Sequence, residues 1–359
     1  ITASHNPENW NALKLLNSRG ELISVKDNDE ISKIKKNNLF KYSPHDKLGS
    51  IFKVNDSINN HITDILNLPI INVSAIKHCN FSGVVDGINS SGGIAVPMLL
   101  EKLNVDVKKI NCTPNGIFTH NPEPLKENLT ELCDVVKKNK SNFGIAVDPD
   151  VDRLVFVDER GEMFGEEYTL VACSDYVLSK SPGSIVSNLS SSRALLDLAK
   201  QYGVNHFSSA VGEFHVVEKM KAVNAVIGGE GNGGVIYPKL HYGRDALVGI
   251  ALFLSLLAEK KVSISALKNK YTNYVMRKTK INLNNDIKVD LILKKIAKKF
   301  ENFNISESDG VKVDFEDSWI HLRKSNTEPI IRLYAEGKEM DHVDEIIKEF
   351  KELIKSYSS

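Results

Sequence analysis

Cysteine is scarce in this sequence. Cys79, Cys112, Cys133 and Cys173 stand far apart, with no CxxC pair. That spacing argues against a disulfide framework or a zinc site built on thiolates, and a reducing cytoplasm is the expected compartment. Long apolar runs are also missing. The longest candidate, Ala246–Ala258, falls short of the roughly 18 residues of a membrane span and reads as a buried helix. Neither sign of charge dominates, because Lys+Arg and Asp+Glu stand at 46 each. The balance gives no reason to expect nucleic acid or an anionic membrane as a partner, so any basic site must be local.

What is present is globular. The chain has 359 residues, 42% of them hydrophobic and 26% charged, which is too long for one ordinary core and predicts two to four domains. A polar loop, Thr2–Pro7, opens into an apolar stretch at Ala12–Leu16 and a turn at Ser18-Arg19-Gly20, the pattern of a strand and hairpin. Residues 26–60 are polar and read as surface helices and loops, with a linker near Leu66–Pro69. From Phe81 onward, short apolar runs alternate with helical stretches, and the pattern recurs from Tyr168. This predicts two α/β units with largely parallel sheets. After about residue 273, Lys-rich amphipathic helices flank short strands, which predicts an α+β unit with helices on one face of an antiparallel sheet.

Four loops stand out for their chemistry. In Thr2-Ala3-Ser4-His5-Asn6-Pro7, Ser4 is either a nucleophile awaiting activation or part of a polar turn. In Asp148-Pro149-Asp150-Val151-Asp152-Arg153, three carboxylates at alternate positions can converge on one hard cation. A calcium EF-hand would need Gly where Arg153 stands and helices where the flanks are strand-like; Mg²⁺, which shares its shell with phosphate oxygens, fits better. Gly229-Glu230-Gly231-Asn232-Gly233-Gly234 matches the dinucleotide-binding spacing. It leads into strand-like Val235-Ile236-Tyr237-Pro238 rather than a helix, so that reading is rejected. It is either a mobile turn or a loop that lets backbone approach a ligand. Arg323-Lys324-Ser325-Asn326-Thr327-Glu328-Pro329, with Arg332 beyond, is either a polar hairpin or a phosphate cradle.

In this order, TASHNP, DPDVDR, GEGNGG and RKSNTEP resemble the phosphoserine, metal, sugar and phosphate loops of the α-D-phosphohexomutase superfamily. The resemblance implies three related α/β domains, here with the first incomplete, and a C-terminal α+β domain. The expected spans are 1–66, 67–162, 163–272 and 273–359. It implies an isomerase that moves a phosphoryl group on a hexose phosphate through a phosphoserine at Ser4 and a hexose 1,6-bisphosphate intermediate. His5 would assist proton transfer and Lys14 would hold the phosphoserine. Asp148, Asp150 and Asp152 would bind Mg²⁺ together with the Ser4 phosphate, and Arg153 would face the phosphoserine or the substrate. Glu230 and Asn232 would bind sugar hydroxyls. Arg323, Ser325, Asn326, Thr327 and Arg332 would hold the phosphate not being transferred.

Many members carry Ser and His where Asn232 and Gly234 stand, and some carry a Lys in the segment matching Ser209–Glu213, so the resemblance does not name a general base. The GEGNGG form resembles the phosphoglucosamine mutase branch. A phosphomannomutase/phosphoglucomutase is the alternative, and a non-catalytic sugar-phosphate-binding homologue is the alternative of another class. Because Ile1 already adjoins the Ser4 loop, the chain is expected to be part of a longer enzyme, with little activity on its own.

Overall fold

The structure is a computed structural model that describes residues 1–282, 289–324 and 330–358. Residues 1–24 are loops and turns, followed by α1 (Val25–Lys36). Ser24 starts that helix through a reciprocal capping box with Asp27, and none of its residues is buried. The expected strand at Ala12–Leu16 does not form: only an isolated bridge, Leu16 to Leu22, is present. The turn itself holds, with the Gly20 amide bonded to Asn17 O and Gly20 at φ +76°. The strand fails because no described neighbour offers a second ladder, and a single two-stranded hairpin is marginal in water.

Helices α2 (Ser57–Leu66) and α3 (Val73–His78) precede the first sheet. That sheet is built by β1 (Ser82–Asp86), α4 (Gly92–Lys102), β2 (Asp106–Ile110), α5 (Thr130–Asn139), β3 (Phe143–Val147) and β4 (Leu154–Val157). Its order is β2-β1-β3-β4, parallel except for β4, which returns from β3 as a hairpin. The next unit repeats the plan with α6 (Glu166–Lys180), β5 (Ile185–Asn188), α7 (Ala194–Tyr202), β6 (His206–Ser209), α8 (Glu213–Val223), β7 (Ile227–Glu230) and β8 (Gly234–Ile236). Its order is β6-β5-β7-β8, again with an antiparallel fourth strand. The shared strand order reveals a structural repeat that sequence identity alone does not.

Helix α9 (Ala246–Lys260) is buried from Ala246 through Ala258, as its apolar run predicts. It packs with α2, α3 and α6 in one core that serves both sheets, where Phe253 stacks on Phe156 with centroids 3.8 Å apart. The short α10 (Ile264–Lys268) leads to β9 (Val275–Asn282), α11 (Val289–Lys299), β10 (Asn304–Ser306), β11 (Val311–Asp314), β12 (Trp319–Lys324), β13 (Ile330–Gly337) and α12 (Met340–Ser358). These strands form an antiparallel sheet, β10-β11-β12-β13-β9, with its own core against α11 and α12. Among the described residues no helix is long and apolar enough to cross a membrane.

Candidate active site

The repeat sets the stage for the site. Each α/β unit ends in a β-hairpin: the acidic residues 148–153 join β3 to β4, and the glycine-rich residues 231–233 join β7 to β8. The two hairpins touch, with the Leu154 amide donating to Gly233 O at 3.1 Å. Gly233 sits at φ +86°, and a Cβ there would lie 2.3 Å from Leu154 O, so glycine is required on both counts. The Rossmann reading is excluded because the loop closes a hairpin and opens no helix.

Local backbone gathers the aspartates. Val151, at the turn, adopts φ +61°, a costly conformation for a β-branched residue. Asp148 Oδ1 accepts the amides of Asp152 and Arg153, both at 3.0 Å. Ser90 and Ser91 clamp Pro149 O at 2.9 and 2.6 Å, and the Ala246 amide holds Val151 O. The result places carboxylate oxygens of Asp148, Asp150 and Asp152 within 4.8 Å of one another. Asp148 is fully buried, and burial followed by the charges of Asp152 and Asp150 pushes its carboxyl well up. Burial also acts upward on Asp152, but Arg244 and Lys14 outweigh it and hold that carboxyl below its ordinary value.

The Ser4 loop meets this cluster. Ser4 itself is at φ +52°, fixed by its amide donating to Thr2 Oγ1 at 2.9 Å. Its hydroxyl donates to Asp148 Oδ2 at 3.1 Å. His5 lies between Ser4 and Arg153: Nδ1 is 3.3 Å from Ser4 Oγ, and Nε2 is 3.5 Å from the guanidinium. A guanidinium cannot accept, so Nε2 is the acceptor and Nδ1 carries the proton. Burial, and then Arg153, lower the His5 pKa and keep the ring neutral. Lys14 Nζ bridges Asp150 at 2.5 Å and Asp152 at 2.9 Å. Burial opposes its charge, but Asp152 and Asp150 win and raise its pKa.

A cleft of about 380 Å³ opens from this cluster toward the C-terminal sheet, lined by His5, Lys14, Arg153, Asn232, Arg323 and Arg332 among others. Arg323 on β12 faces Arg332 on β13, and Arg332 faces Lys280 on β9. Like charges directly opposite one another on a sheet face are destabilising unless an anion joins them. Arg323 Nε is also buried without a hydrogen-bond partner among the described residues, and the nearest carboxylate, on Asp309, is 3.7 Å from Nη1. Such a cluster of cationic groups suits an anion. Ser325, Asn326 and Thr327 lie outside the described residues.

Glu230 is already engaged. It accepts from Asn188 Nδ2 at 2.8 Å, from the Gly212 amide at 3.0 Å and from Arg244 Nη1 at 2.8 Å. Arg244 escaped the sequence reading, yet it is the hub: its other nitrogens reach Asp152 at 2.7 Å and Glu213 at 3.0 Å. Only its place beside the helix cap Asp245 hinted at a fixed position. Glu123, which accepts from Arg153 at 3.1 Å, lay hidden in a loop. Lys278 and Glu167, paired at 3.3 Å across the cleft, depended on a strand too cationic to read as one. Burial pushes the Glu167 carboxyl up to about 8.

Comparison with known proteins agrees with this geometry. Sequence models of the phosphoglucomutase/phosphomannomutase α/β/α domain II, α/β/α domain III and C-terminal domain match residues 59–161, 165–274 and 277–353. A phosphoglucomutase/phosphomannomutase of Thermococcus kodakarensis is 34% identical over 352 residues, covering 97% of this chain and 76% of that protein. A phosphoglucosamine/phosphogalactosamine mutase of Sulfurisphaera tokodaii is 31% identical, covering 99% of this chain and 79% of its own length. The crystal structure of a phosphoglucomutase/phosphomannomutase family protein from Burkholderia thailandensis superposes with a TM-score of 0.86 at 26% identity, over 99% of this chain and 75% of that one. The chain therefore belongs to the phosphoglucomutase/phosphomannomutase family of the α-D-phosphohexomutases, isomerases that move a phosphate group within a hexose phosphate.

Proposed function

We propose that the substrate is glucosamine 6-phosphate and the product glucosamine 1-phosphate, made through phospho-Ser4 and a 1,6-bisphosphate. The observation that carries the reaction is the placement of Ser4 Oγ 3.1 Å from Asp148, at one end of a cleft whose other walls include Arg323 and Arg332. Phosphoryl transfer needs positioning and charge neutralisation more than covalent chemistry, and such a cleft supplies both.

The acidic loop fits Mg²⁺. Asp150 Oδ1 and Asp152 Oδ1 are buried oxygens without hydrogen-bond partners among the described residues, and a hard cation takes such donors. Asp148, Asp150, Asp152 and the Ser4 phosphate would hold it. When bound, it offsets charge at the phosphoryl group.

The protein's own groups do the rest. Phospho-Ser4 gives its phosphoryl group to the free O1 hydroxyl, while Arg323 and Arg332 grip the 6-phosphate. As the O1–P bond forms the Ser4 Oγ–P bond breaks, and the proton leaving O1 ends on Ser4 Oγ; His5 Nδ1–H donates to that oxygen as it becomes the leaving group, and Lys14 draws the phosphoserine toward the aspartates. Arg153 bonds the transferring phosphate. The bisphosphate turns over, so that the former 6-phosphate returns to Ser4. Asn232, in the tight glycine hairpin, meets sugar hydroxyls, while Glu230 acts on them through a carboxylate already fixed by Arg244. The glycine-rich GEGNGG form and the similarity to the Sulfurisphaera enzyme support the amino sugar.

The 34% identity to the Thermococcus phosphoglucomutase/phosphomannomutase favours glucose or mannose phosphate as the second reading. Specificity constants for glucosamine, glucose and mannose 6-phosphates decide between them. A clear preference for either neutral sugar over glucosamine overturns the first reading.

A further inference from the structure

We propose a second cation site, of the zinc type, formed by His61, His241 and Asp245, none of which lines the cleft. His61 lies on α2, His241 lies in the turn before α9, and Asp245 is the N-cap of α9. Asp245 divides its labour. Oδ1 caps the helix by accepting the amides of Leu247 and Val248 at 2.7 and 3.2 Å. Oδ2 receives both imidazoles, His61 Nε2 at 2.7 Å and His241 Nε2 at 3.0 Å. The rings are 5.7 Å apart and tilted by 45°, so they approach one oxygen from two directions.

One donor atom from each residue lies within 4.8 Å of the others. Tetrahedral zinc, with bonds of about 2.0–2.2 Å to nitrogen and oxygen, needs nitrogen–oxygen edges of about 3.3 Å. The observed edges of 2.7 and 3.0 Å are shorter by about 0.6 and 0.3 Å, and side-chain rotations that open them bring the donors to that spacing. The His61 and His241 side chains are 34% and 38% exposed, which leaves a route for the ion and a water as fourth ligand. Asp64 adds negative potential beside His61.

Donor chemistry separates this site from the acidic loop. Two imidazoles and one carboxylate suit Zn²⁺, whereas three carboxylates suit Mg²⁺. The ligands His61 and Asp245 are 184 positions apart, so an ion would staple α2 to the start of α9. The stapled segment also carries Arg244 into the cleft and holds Val151 O through the Ala246 amide.

The test uses the full chain saturated with Mg²⁺ and titrated with Co²⁺ or Zn²⁺ alone. The expected result is one further equivalent bound, with the strong visible absorption of four-coordinate Co²⁺ and a rise in Tm with Zn²⁺. Asp148→Asn/Asp150→Asn should keep that signal, and His61→Ala and His241→Ala should each lose it. Both histidines are partly exposed, so each variant is scored separately, with circular dichroism to confirm its fold. Absence of the signal in the Mg²⁺-saturated parent, or its persistence in a folded histidine variant, overturns the site.

Discussion

Residues 1–56 and the helix α9 are held in opposite ways. In the first region only Glu21 is buried, and Trp10, Leu13, Phe40, Tyr42, Ile51 and Phe52 are all exposed. In α9 every residue from Ala246 to Ala258 is buried. The Ser4 segment is attached to the body by polar contacts: Ser4 to Asp148, Lys14 to Asp150 and Asp152, Glu8 to the Phe118 amide, and Glu21 to Lys221. Apolar burial is non-directional and scales with area, whereas these contacts are directional and individually small. The chain thus holds its candidate nucleophile by chemistry and its scaffold by packing. Substitutions in the two regions should therefore separate activity from stability.

The widest separation is expected at Ser4. Ser4→Ala should lower turnover by at least about 10³-fold while leaving Tm unchanged, because the side chain adds nothing to a core. Asp150→Asn should likewise lower kcat by orders of magnitude. Both are read by a coupled mutase assay on enzyme whose Ser4 phosphorylation has been measured by mass spectrometry. A Ser4→Ala enzyme that still turns over would remove the phosphoserine from the mechanism.

The converse experiment is in the scaffold. Phe253 is fully buried and stacks on Phe156, so Phe253→Ala should cost about 3–5 kcal/mol. Phe52 is 83% exposed, and Phe52→Ala should stay within about 0.5 kcal/mol. Denaturant midpoints give both numbers. Equal costs would mean that residues 1–56 pack against something in solution, and the contrast would fail.

An intermediate case lies where the second α/β unit meets the C-terminal sheet. His321 is buried; its Nε2–H donates to Asp309 O at 2.6 Å, and its Nδ1 accepts from Ser190 Oγ at 2.8 Å. Burial pushes its pKa down to about 4. The unfolded chain, with a histidine near 6.5, takes up the proton first as the pH falls. The stabilising contribution is complete above about pH 6.5 and is lost progressively toward pH 4, amounting to about 3 kcal/mol. Stability measured across that range should fall less steeply in His321→Gln. An unchanged slope would place the acid sensitivity elsewhere.

The same contrast explains what the sequence disclosed. Helix α9 was legible because no face of it meets water from Ala246 to Ala258, and strands β3 and β4 because both are apolar throughout; their antiparallel pairing was not. Strand β9 was not legible, because Arg277, Lys278 and Lys280 reflect a cleft lining and an exposed edge rather than a pleated core. The expected strand at Ala12–Leu16 was misread because apolar spacing signals a strand only where a partner completes the ladder. In the site, Ser4 and the three aspartates were visible as local motifs. Arg244 was not, because its role arises where Asp152 of the acidic loop, Glu213 at the start of α8 and Glu230 at the end of β7 meet from three separate parts of the chain.

The smallest expected effect at the site itself probes the tether directly. Lys14 is one-third exposed, while its partners Asp150 and Asp152 are 15% and 9% exposed. Solvent screens such a pair, so its contribution to docking should be about 1 kcal/mol rather than the several expected of a fully buried pair. Lys14→Met keeps the apolar stem and removes the charge. It should raise the population of the undocked segment about fivefold, since 1.4 kcal/mol is a tenfold change. Amide exchange at Ser4–Asn6 reads this locally, and limited proteolysis reads it over residues 1–56. The body from α2 onward should show no change, because its core does not include Lys14. Added salt should reproduce part of the effect in the parent chain and little of it in Lys14→Met. Faster exchange throughout the body, or none at Ser4, would show that the segment is not held by this charge, and the division between a chemically tethered nucleophile and a packed scaffold would have to be redrawn.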